Sequence, residues 1–244
     1  MTAHPPTIVH PTAVVGPGVE LGVGVSVGPH AVLLGPLQVG DGAWIGAGTS
    51  IGAPPEISTL RQNLAWDGDL DHSGVVIEEG ALIRELVVIH QGSRRTTIVG
   101  ARSLLFNRSY LAHDVQLGAG VTISAGVSIA GHATIQAGAN LGMNVTVHQR
   151  RVVGALAMIG MGAAVTHDIP PFAKAFGVPV RLRGVNDVGM SRAGICAQTI
   201  AVVAEAYAAG RLDLTASDVP DVSDEFAWWA AVPDRRPVPV EFSG

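Results

Sequence analysis

Aliphatic residues recur at every sixth position along most of the chain. Three runs keep this spacing, and all of their 23 positions hold Val, Ile or Leu. A period of six is neither the 3.6 of an amphipathic helix nor the alternation of a half-buried strand. The pattern predicts one short strand and one tight turn in every six residues, with the aliphatic side chain pointing inward. The runs are Val9, Val15, Leu21, Val27, Leu33, Val39, Ile45 and Ile51; Ile77, Ile83 and Ile89; and Val99, Leu105, Leu111, Leu117, Ile123, Ile129, Ile135, Leu141, Val147, Val153, Ile159 and Val165.

Small residues often follow the aliphatic position and indicate a sharp corner, because glycine lets the backbone turn where a side chain would collide. Three sides of six residues close one coil of 18 residues, and stacked coils pair their short strands in parallel. The sequence therefore predicts an all-β solenoid, a parallel β-helix over residues 1–170. The glycines in this position are Gly16, Gly22, Gly28, Gly40, Gly46, Gly52, Gly118, Gly142, Gly154 and Gly160.

The period breaks twice, after Ile51 and after Ile89. These breaks predict loop excursions from the prism over residues 52–76 and 90–98. The first excursion is polar and rich in turn-forming residues. Long excursions from a regular scaffold often contribute to a binding or catalytic site.

The hexad pattern ends near residue 170. The position after Val165 in the series is Pro171, in the run THDIPPF, so we expect the prism to stop there. The remaining residues, 171–244, are predicted to form a C-terminal helical segment and tail.

Two helices are expected in this segment. Residues 191–209 have an apolar stripe at helical spacing, with Ser191 as N-cap and Gly210 as the stop. Cys196 lies on that stripe and is expected in the core. A second short helix is predicted near 222–231.

Composition narrows the function classes. The formal net charge is −5 with no long basic run, which argues against a nucleic-acid partner. One cysteine excludes an intrachain disulfide and a cysteine-based zinc site. The first ten residues lack a secretory signal pattern, and no run of about 18 apolar residues could span a membrane. We therefore expect a cytoplasmic protein without a membrane span.

An 18-residue coil places distant residues on one edge. His113 aligns with Gly131 and Gln149, and Asp114 aligns with His132 and Arg150, while His148 precedes Gln149. A neutral imidazole at His113 could act as general base, oriented by Asp114, with a backbone N–H near Gly131 stabilising an oxyanion. The alternative is that these are turn histidines bonded to backbone carbonyls.

Several stretches resemble the LpxA type of UDP-N-acetylglucosamine O-acyltransferase, the first enzyme of lipid A synthesis. They are HPTAVVGPGVELG, IRELVVIHQG, LAHDVQLG, AGHATI, VHQ, DIPPF and the GVN…SR segment. The resemblance implies a left-handed β-helix and a homotrimer with its active site between neighbouring prisms. It also implies acyl transfer from acyl carrier protein, or from coenzyme A, to a small-molecule acceptor, with no bound cofactor and no metal.

The resemblance also implies roles for single residues. His113 would be the general base, Asp114 its partner and Gly131 the oxyanion contact. The residues implied in substrate binding are His132, His148 and Gln149, then Asn186 and Arg192 near the nucleotide, the phosphates or the donor, and Met161 as the residue that measures acyl length.

The sequence also departs from the family pattern. Tyr110, which we also expect to bind substrate, stands where the family has a further histidine, and Val188 and Ala193 replace a glutamate and an arginine. The family's Asp-Leu-Lys run is replaced by NLAWDGD, and the aspartates at 67, 69 and 71 make this loop acidic. A sugar diphosphate fits an acidic loop poorly, so the acceptor could be another hydroxyl or an amine.

Three other functions remain open at this stage. The first is an acetyl-CoA-dependent hexapeptide acetyltransferase. The second is a γ-carbonic-anhydrase-like zinc protein, which is disfavoured because no two histidines are five residues apart. The third is a non-enzymatic trimeric scaffold. For an acyltransferase we expect direct transfer without a covalent enzyme intermediate.

Overall fold

The computed structural model describes residues 6–60, 62 and 72–241. Within these ranges the chain winds into a prism of three parallel β-sheets. The predicted parallel β-helix is confirmed. No helix in the described part of the chain is long and apolar enough to cross a bilayer.

Each side of the prism is one sheet, and the chain visits the three sheets in turn. Sheet I contains Ile8–Val9, Ser26–Val27, Trp44–Ile45, Leu82–Ile83, Leu104–Leu105, Thr122–Ile123, Asn140–Leu141, Met158–Ile159, Ala173–Phe176 and Arg181–Val185. Sheet II contains Val14–Val15, Val32–Leu33, Ser50–Ala53, Val88–His90, Tyr110–Leu111, Ser128–Ile129, Thr146–Val147 and Ala164–Val165. Sheet III contains Val19–Leu21, Leu37–Val39, Val75–Ile77, Thr97–Val99, Gln116–Leu117, Thr134–Ile135 and Val152–Val153.

The aliphatic hexad positions form the core of the prism. From Val27 onward each of them is at most 4% exposed, whereas Val9 and Val15 of the first coil are 40% and 41% exposed. Like side chains stack on each other because the strands pair in parallel at a fixed register. Leu111 lies against Ile129, and Ile129 lies against Val147. This burial supplies most of the driving force for the fold.

The two interruptions of the period do not change the register of the strands on either side of them. Ile45 pairs with Ile83 and Ile83 with Leu105, so the coils there are longer than 18 residues by 20 and by 4. The second interruption forms the turn between the strands Val88–His90 and Thr97–Val99. The aspartates at 67, 69 and 71 of the first loop lie outside the described residues.

The C-terminal segment continues sheet I and then covers the end of the prism. The strand Ala173–Phe176 pairs in parallel with Met158–Ile159, and Arg181–Val185 then pairs antiparallel with Ala173–Phe176. The sheet thus extends past residue 170, where the regular hexads end. The division into units 1–170 and 171–244 stays a prediction.

Three helices follow the last strand: α1 Asp187–Arg192, α2 Ala197–Ala208 and, after a 3₁₀ turn at Pro220–Val222, α3 Ser223–Ala230. The α2 and α3 side chains Tyr207, Phe226 and Trp229 are buried, and Tyr207 donates a hydrogen bond to the carbonyl of Pro171. The helices therefore close the core at this end.

The helix predicted over 191–209 is wrong at its start. Ser191 lies inside α1 and is not an N-cap, because Gly194 adopts φ +84° and separates α1 from α2. Cys196 precedes α2 as its N-cap and is exposed, so its expected core position is also wrong. The stop at Gly210, which adopts φ +75°, is confirmed, as is the short helix near 222–231.

Two glycines test how closely the coils stack. A Cβ at Gly52 (φ +88°) would lie 1.9 Å from the carbonyl oxygen of Leu34, whereas a Cβ at Gly120 (φ +66°) would meet nothing within 4 Å. We expect Gly120→Ala to cost about 1 kcal/mol for its left-handed backbone alone. Gly52→Ala should cost about 3 kcal/mol or more. Urea unfolding measures both, and equal losses would contradict the stacking of these coils.

Candidate active site

The corner between sheets II and III gathers most of the predicted site. Here the chain turns at residues 112–115, 130–133 and 148–151, one coil above the other. Asp114, His132 and Arg150 occupy equivalent positions in these turns and share a left-handed backbone, with φ of 63°, 62° and 61°. Backbone hydrogen bonds from His132 N–H to the His113 carbonyl and from Arg150 N–H to the Gly131 carbonyl hold the turns together.

His113 and Asp114 form the centre of this corner. The Nδ1 atom of His113 lies 2.6 Å from Oδ2 of Asp114, whose side chain is fully buried. Because a carboxylate only accepts hydrogen bonds, this contact puts the imidazole proton on Nδ1. In the neutral ring the Nε2 atom then carries the lone pair, and it has no hydrogen-bond partner among the described residues.

The turn of the second interruption holds Asp114 in place. Oδ1 accepts the backbone N–H groups of Ser93, Arg94 and Arg95 at 3.1, 2.8 and 2.7 Å, and Oδ2 accepts the Ser93 hydroxyl at 2.6 Å. The backbone N–H of Asp114 donates to Oγ1 of Thr97 at 2.9 Å. Five donors thus converge on one buried carboxylate, including the imidazole.

These donors keep Asp114 charged. Burial by itself raises the pKa of the carboxyl group, but the hydrogen bonds from Ser93, Arg95, His113 and Arg94 outweigh it. The pKa of Asp114 therefore lies well below its usual range. A permanently ionised carboxylate can orient the imidazole and stabilise its protonated form.

The imidazole of His113 occupies the space that a side chain at residue 131 would need. A Cβ at this position would lie 2.6 Å from Cε1 and 2.7 Å from Nε2 of His113. The backbone N–H of Gly131 has no acceptor in the described part of the chain. The site thus combines an Nε2 that has no hydrogen-bond partner in the described ranges with a nearby donor that an oxyanion could use.

His132 packs edge-on against His113, with ring centroids 5.0 Å apart, and its Nδ1 lies 3.6 Å from Oδ2 of Asp114. Burial lowers the pKa of His132, and the charge of Asp114 raises it again. The charges of His113, Arg150 and Arg95 lower it further. The balance favours a neutral His132 ring, which can donate one hydrogen bond and accept another.

The remaining predicted residues are spread more widely. His148 and Gln149 are exposed on the same corner, and Tyr110 lies on the strand below it with its ring against His90. Met161 is 76% exposed on the corner between sheets I and II. One chain therefore does not bring Met161 to His113.

Asn186 and Arg192 belong to α1 and not to this corner. Oδ1 of Asn186 accepts the Gly189 N–H, and its Nδ2 donates to the Leu156 carbonyl, so the side chain caps the helix. Arg192 is exposed in the last turn of α1. Their assignment to substrate binding stays a prediction.

The ligand-type atoms of His113, Asp114 and His132 lie within 4.8 Å of one another, a spacing that could suit a metal ion. A carboxylate offers about four lone-pair sites. In Asp114 the five donors already occupy them, and the same hydrogen bond engages Nδ1 of His113. The arrangement therefore favours proton transfer over metal binding.

Comparison with known proteins agrees with this geometry. The family model described as UDP-N-acetylglucosamine O-acyltransferase, domain 2, matches residues 168–211. An acyl-[acyl-carrier-protein]–UDP-N-acetylglucosamine O-acyltransferase of Sinorhizobium fredii is 35% identical over 185 residues, which cover 73% of this chain and 64% of that protein. The Synechocystis protein with the same name is 33% identical over 178 residues, covering 72% and 62%. The chain thus spans less than two thirds of these relatives.

Solved structures cover more of the length. LpxA from Bacteroides fragilis, a UDP-N-acetylglucosamine acyltransferase, has a TM-score of 0.69 at 29% identity, with 94% of this chain and 91% of that chain covered. The enzyme from Campylobacter jejuni has a TM-score of 0.74 at 23% identity, covering 96% and 100%, and so supports the fold alone.

Fold and corner together define a hexapeptide-repeat protein with a left-handed parallel β-helix. Within that class, the chain is similar to UDP-N-acetylglucosamine O-acyltransferases of the LpxA type.

Asp114→Asn tests the buried carboxylate. Its depressed pKa means that Asp114 stabilises the fold above its unfolded-state pKa, about 3.9, and loses that contribution as pH falls through the folded-state value. We expect the free energy of unfolding of wild type to exceed that of the variant by about 2 kcal/mol or more at pH 7. The gap should shrink at pH 3, measured by urea unfolding, and a gap that does not depend on pH would contradict the network. Ser93→Ala, which removes one donor, should lower the free energy of unfolding by a smaller amount.

Gly131→Ala tests the space beside His113. The added Cβ would push against the imidazole, so we expect transfer activity to fall about 10²-fold or more. Folding should persist because the backbone of Gly131 does not adopt a positive φ. Gly120→Ala is the matched control on another corner. Full activity in Gly131→Ala would show that Nε2 does not need this space.

Proposed function

We propose that the chain is an acyltransferase that moves an acyl group from a thioester to a substrate hydroxyl, with His113 as general base. The observation that carries the proposal is the His113–Asp114 pair. Nδ1 is bound at 2.6 Å to a buried, ionised carboxylate, and Nε2 lies over Gly131, where a side chain would collide with the ring. The names of the relatives support the same reaction class.

The reaction follows from these positions. Nε2 of His113 takes the proton of the acceptor hydroxyl while the hydroxyl oxygen attacks the thioester carbonyl carbon. The carbonyl oxygen becomes an oxyanion, which in this scheme the N–H of Gly131 stabilises. The intermediate collapses, the C–S bond breaks, and His113 returns its proton to the leaving thiolate. Asp114 stabilises the imidazolium between these two steps.

The relatives act on acyl carrier protein and UDP-N-acetylglucosamine, as their names state. We propose the same classes of donor and acceptor here, in the cytoplasm, with coenzyme A as the alternative carrier. We also propose a homotrimer, since Met161, Asn186 and Arg192 lie away from His113 on their own chain. A neighbouring copy could bring such residues to the corner.

His113→Ala should lower kcat by about 10²–10⁴-fold, because the general base is lost. Steady-state transfer of a radiolabelled acyl group from acyl carrier protein to UDP-N-acetylglucosamine measures this. His10→Ala, an exposed histidine of the first coil, is the matched control and should retain full activity. Unchanged transfer in a folded His113→Ala protein, with the same oligomeric state as wild type, would refute the proposed base.

A further inference from the structure

We infer that the pocket formed by Arg94, Arg95, His132 and Arg150 binds a phosphate group of one of the substrates. The pocket lies on the corner between sheets II and III, directly beside His113. The inference rests on the proposed acyl transfer and adds to it a recognition site for one chemical group. We call this set of four residues the arginine pocket.

The coils hold two sides of the arginine pocket in fixed positions. Nε of Arg95 donates to the Asp114 carbonyl at 2.9 Å, and Nη2 donates to the His132 carbonyl at 3.1 Å. Its Nη1 has no acceptor among the described residues. Arg150 lies one coil beyond His132, in the equivalent left-handed position of its turn. Arg94 precedes Arg95 in the turn that binds the Asp114 carboxylate.

The positive charge in the arginine pocket is not neutralised. In the described ranges, Arg94 and Arg150 have no side-chain hydrogen bond or ion pair. The nearby arginine that is paired, Arg151, binds Asp168 at 2.9 Å and does not line the pocket. Asp114 is the adjacent acid, and its oxygens are already occupied. Partial burial lowers the pKa of Arg95, and the charge of Asp114 raises it again.

Phosphate is the ligand that suits this arrangement. Guanidinium groups bind phosphate oxygens through paired N–H donors, and two or three of them match a dianion or a diphosphate. A neutral His132 can add a further donor. His132 lines the arginine pocket and packs against His113, so such an anion would lie on the same corner as the proposed base.

The arginine pocket also changes the interpretation of the acidic first loop. That loop made a sugar diphosphate look unsuitable as acceptor, but the sequence pattern did not reveal that Arg94, Arg95 and Arg150 converge. The phosphate could be the diphosphate of a nucleotide acceptor or the phosphate of the donor's pantetheine arm. Both sources share the chemistry, and kinetics can separate them.

Binding of inorganic pyrophosphate, measured by isothermal titration calorimetry on the full chain, tests the site without turnover. The double variant Arg94→Gln/Arg150→Gln should bind about tenfold more weakly than wild type, since each exposed ion pair is worth up to about fivefold. Arg102→Gln is the matched control. Arg102 has the same left-handed backbone (φ 55°) on another corner, where it pairs with Glu79. The control should bind like wild type.

The inference is overturned if wild type shows no saturable binding at millimolar pyrophosphate, or if the double variant binds as tightly as wild type. In transfer assays, a raised KM for the sugar nucleotide assigns the phosphate to the acceptor. A raised KM for free acyl-phosphopantetheine assigns it to the donor. A raised KM for the carrier protein alone, with unchanged pyrophosphate binding, would instead indicate an acidic protein surface. Wild type that binds pyrophosphate but transfers nothing would retain this inference and reject the proposed function.

Discussion

Parallel pairing of strands at an 18-residue register is the constraint on which the site depends. Each aliphatic side chain packs on the one a coil away, so a shift of one residue would expose the core column of every sheet. The same register fixes the corners. It places Gly131 over His113 and Arg150 beyond His132, although these residues are far apart in sequence. Residues that are 18 positions apart in a regular part of this fold therefore become neighbours in the site.

The four-residue interruption before Thr97 adds what the regular coil cannot supply. In a regular turn, backbone N–H groups bond to the neighbouring coil. The longer turn instead directs the N–H groups of Ser93, Arg94 and Arg95 at Asp114. Those donors offset the cost of burying the charge. The charged carboxylate in turn selects the imidazole tautomer of His113. The longer turn thus keeps Asp114 charged, and the charged Asp114 fixes the tautomer of His113.

The features that follow from the repeat could be predicted from the sequence alone. The hexads predicted the prism, and the arithmetic of 18 predicted that His113, Gly131 and His132 meet. It did not predict the Asp114 network, because the direction of backbone N–H groups in a turn leaves no periodic signal. The N-cap at Ser191 was wrong for a similar reason: Gly194 divides the apolar stripe by its backbone conformation. Convergence of the arginines was also missed, since Arg94 and Arg95 lie in an interruption where the 18-residue count fails.

The tautomer of His113 tests most directly whether Asp114 orients this ring as a general base. Nitrogen-15 NMR of the imidazole at pH 8, assigned by comparison with a His113→Gln sample, reports which ring nitrogen carries the proton. The Asp114 contact at 2.6 Å requires a protonated Nδ1, and in the neutral ring Nε2 is then unprotonated. In Asp114→Asn this preference should weaken. A wild-type ring protonated at Nε2 and bare at Nδ1 would contradict the geometry from which the proposed base is derived.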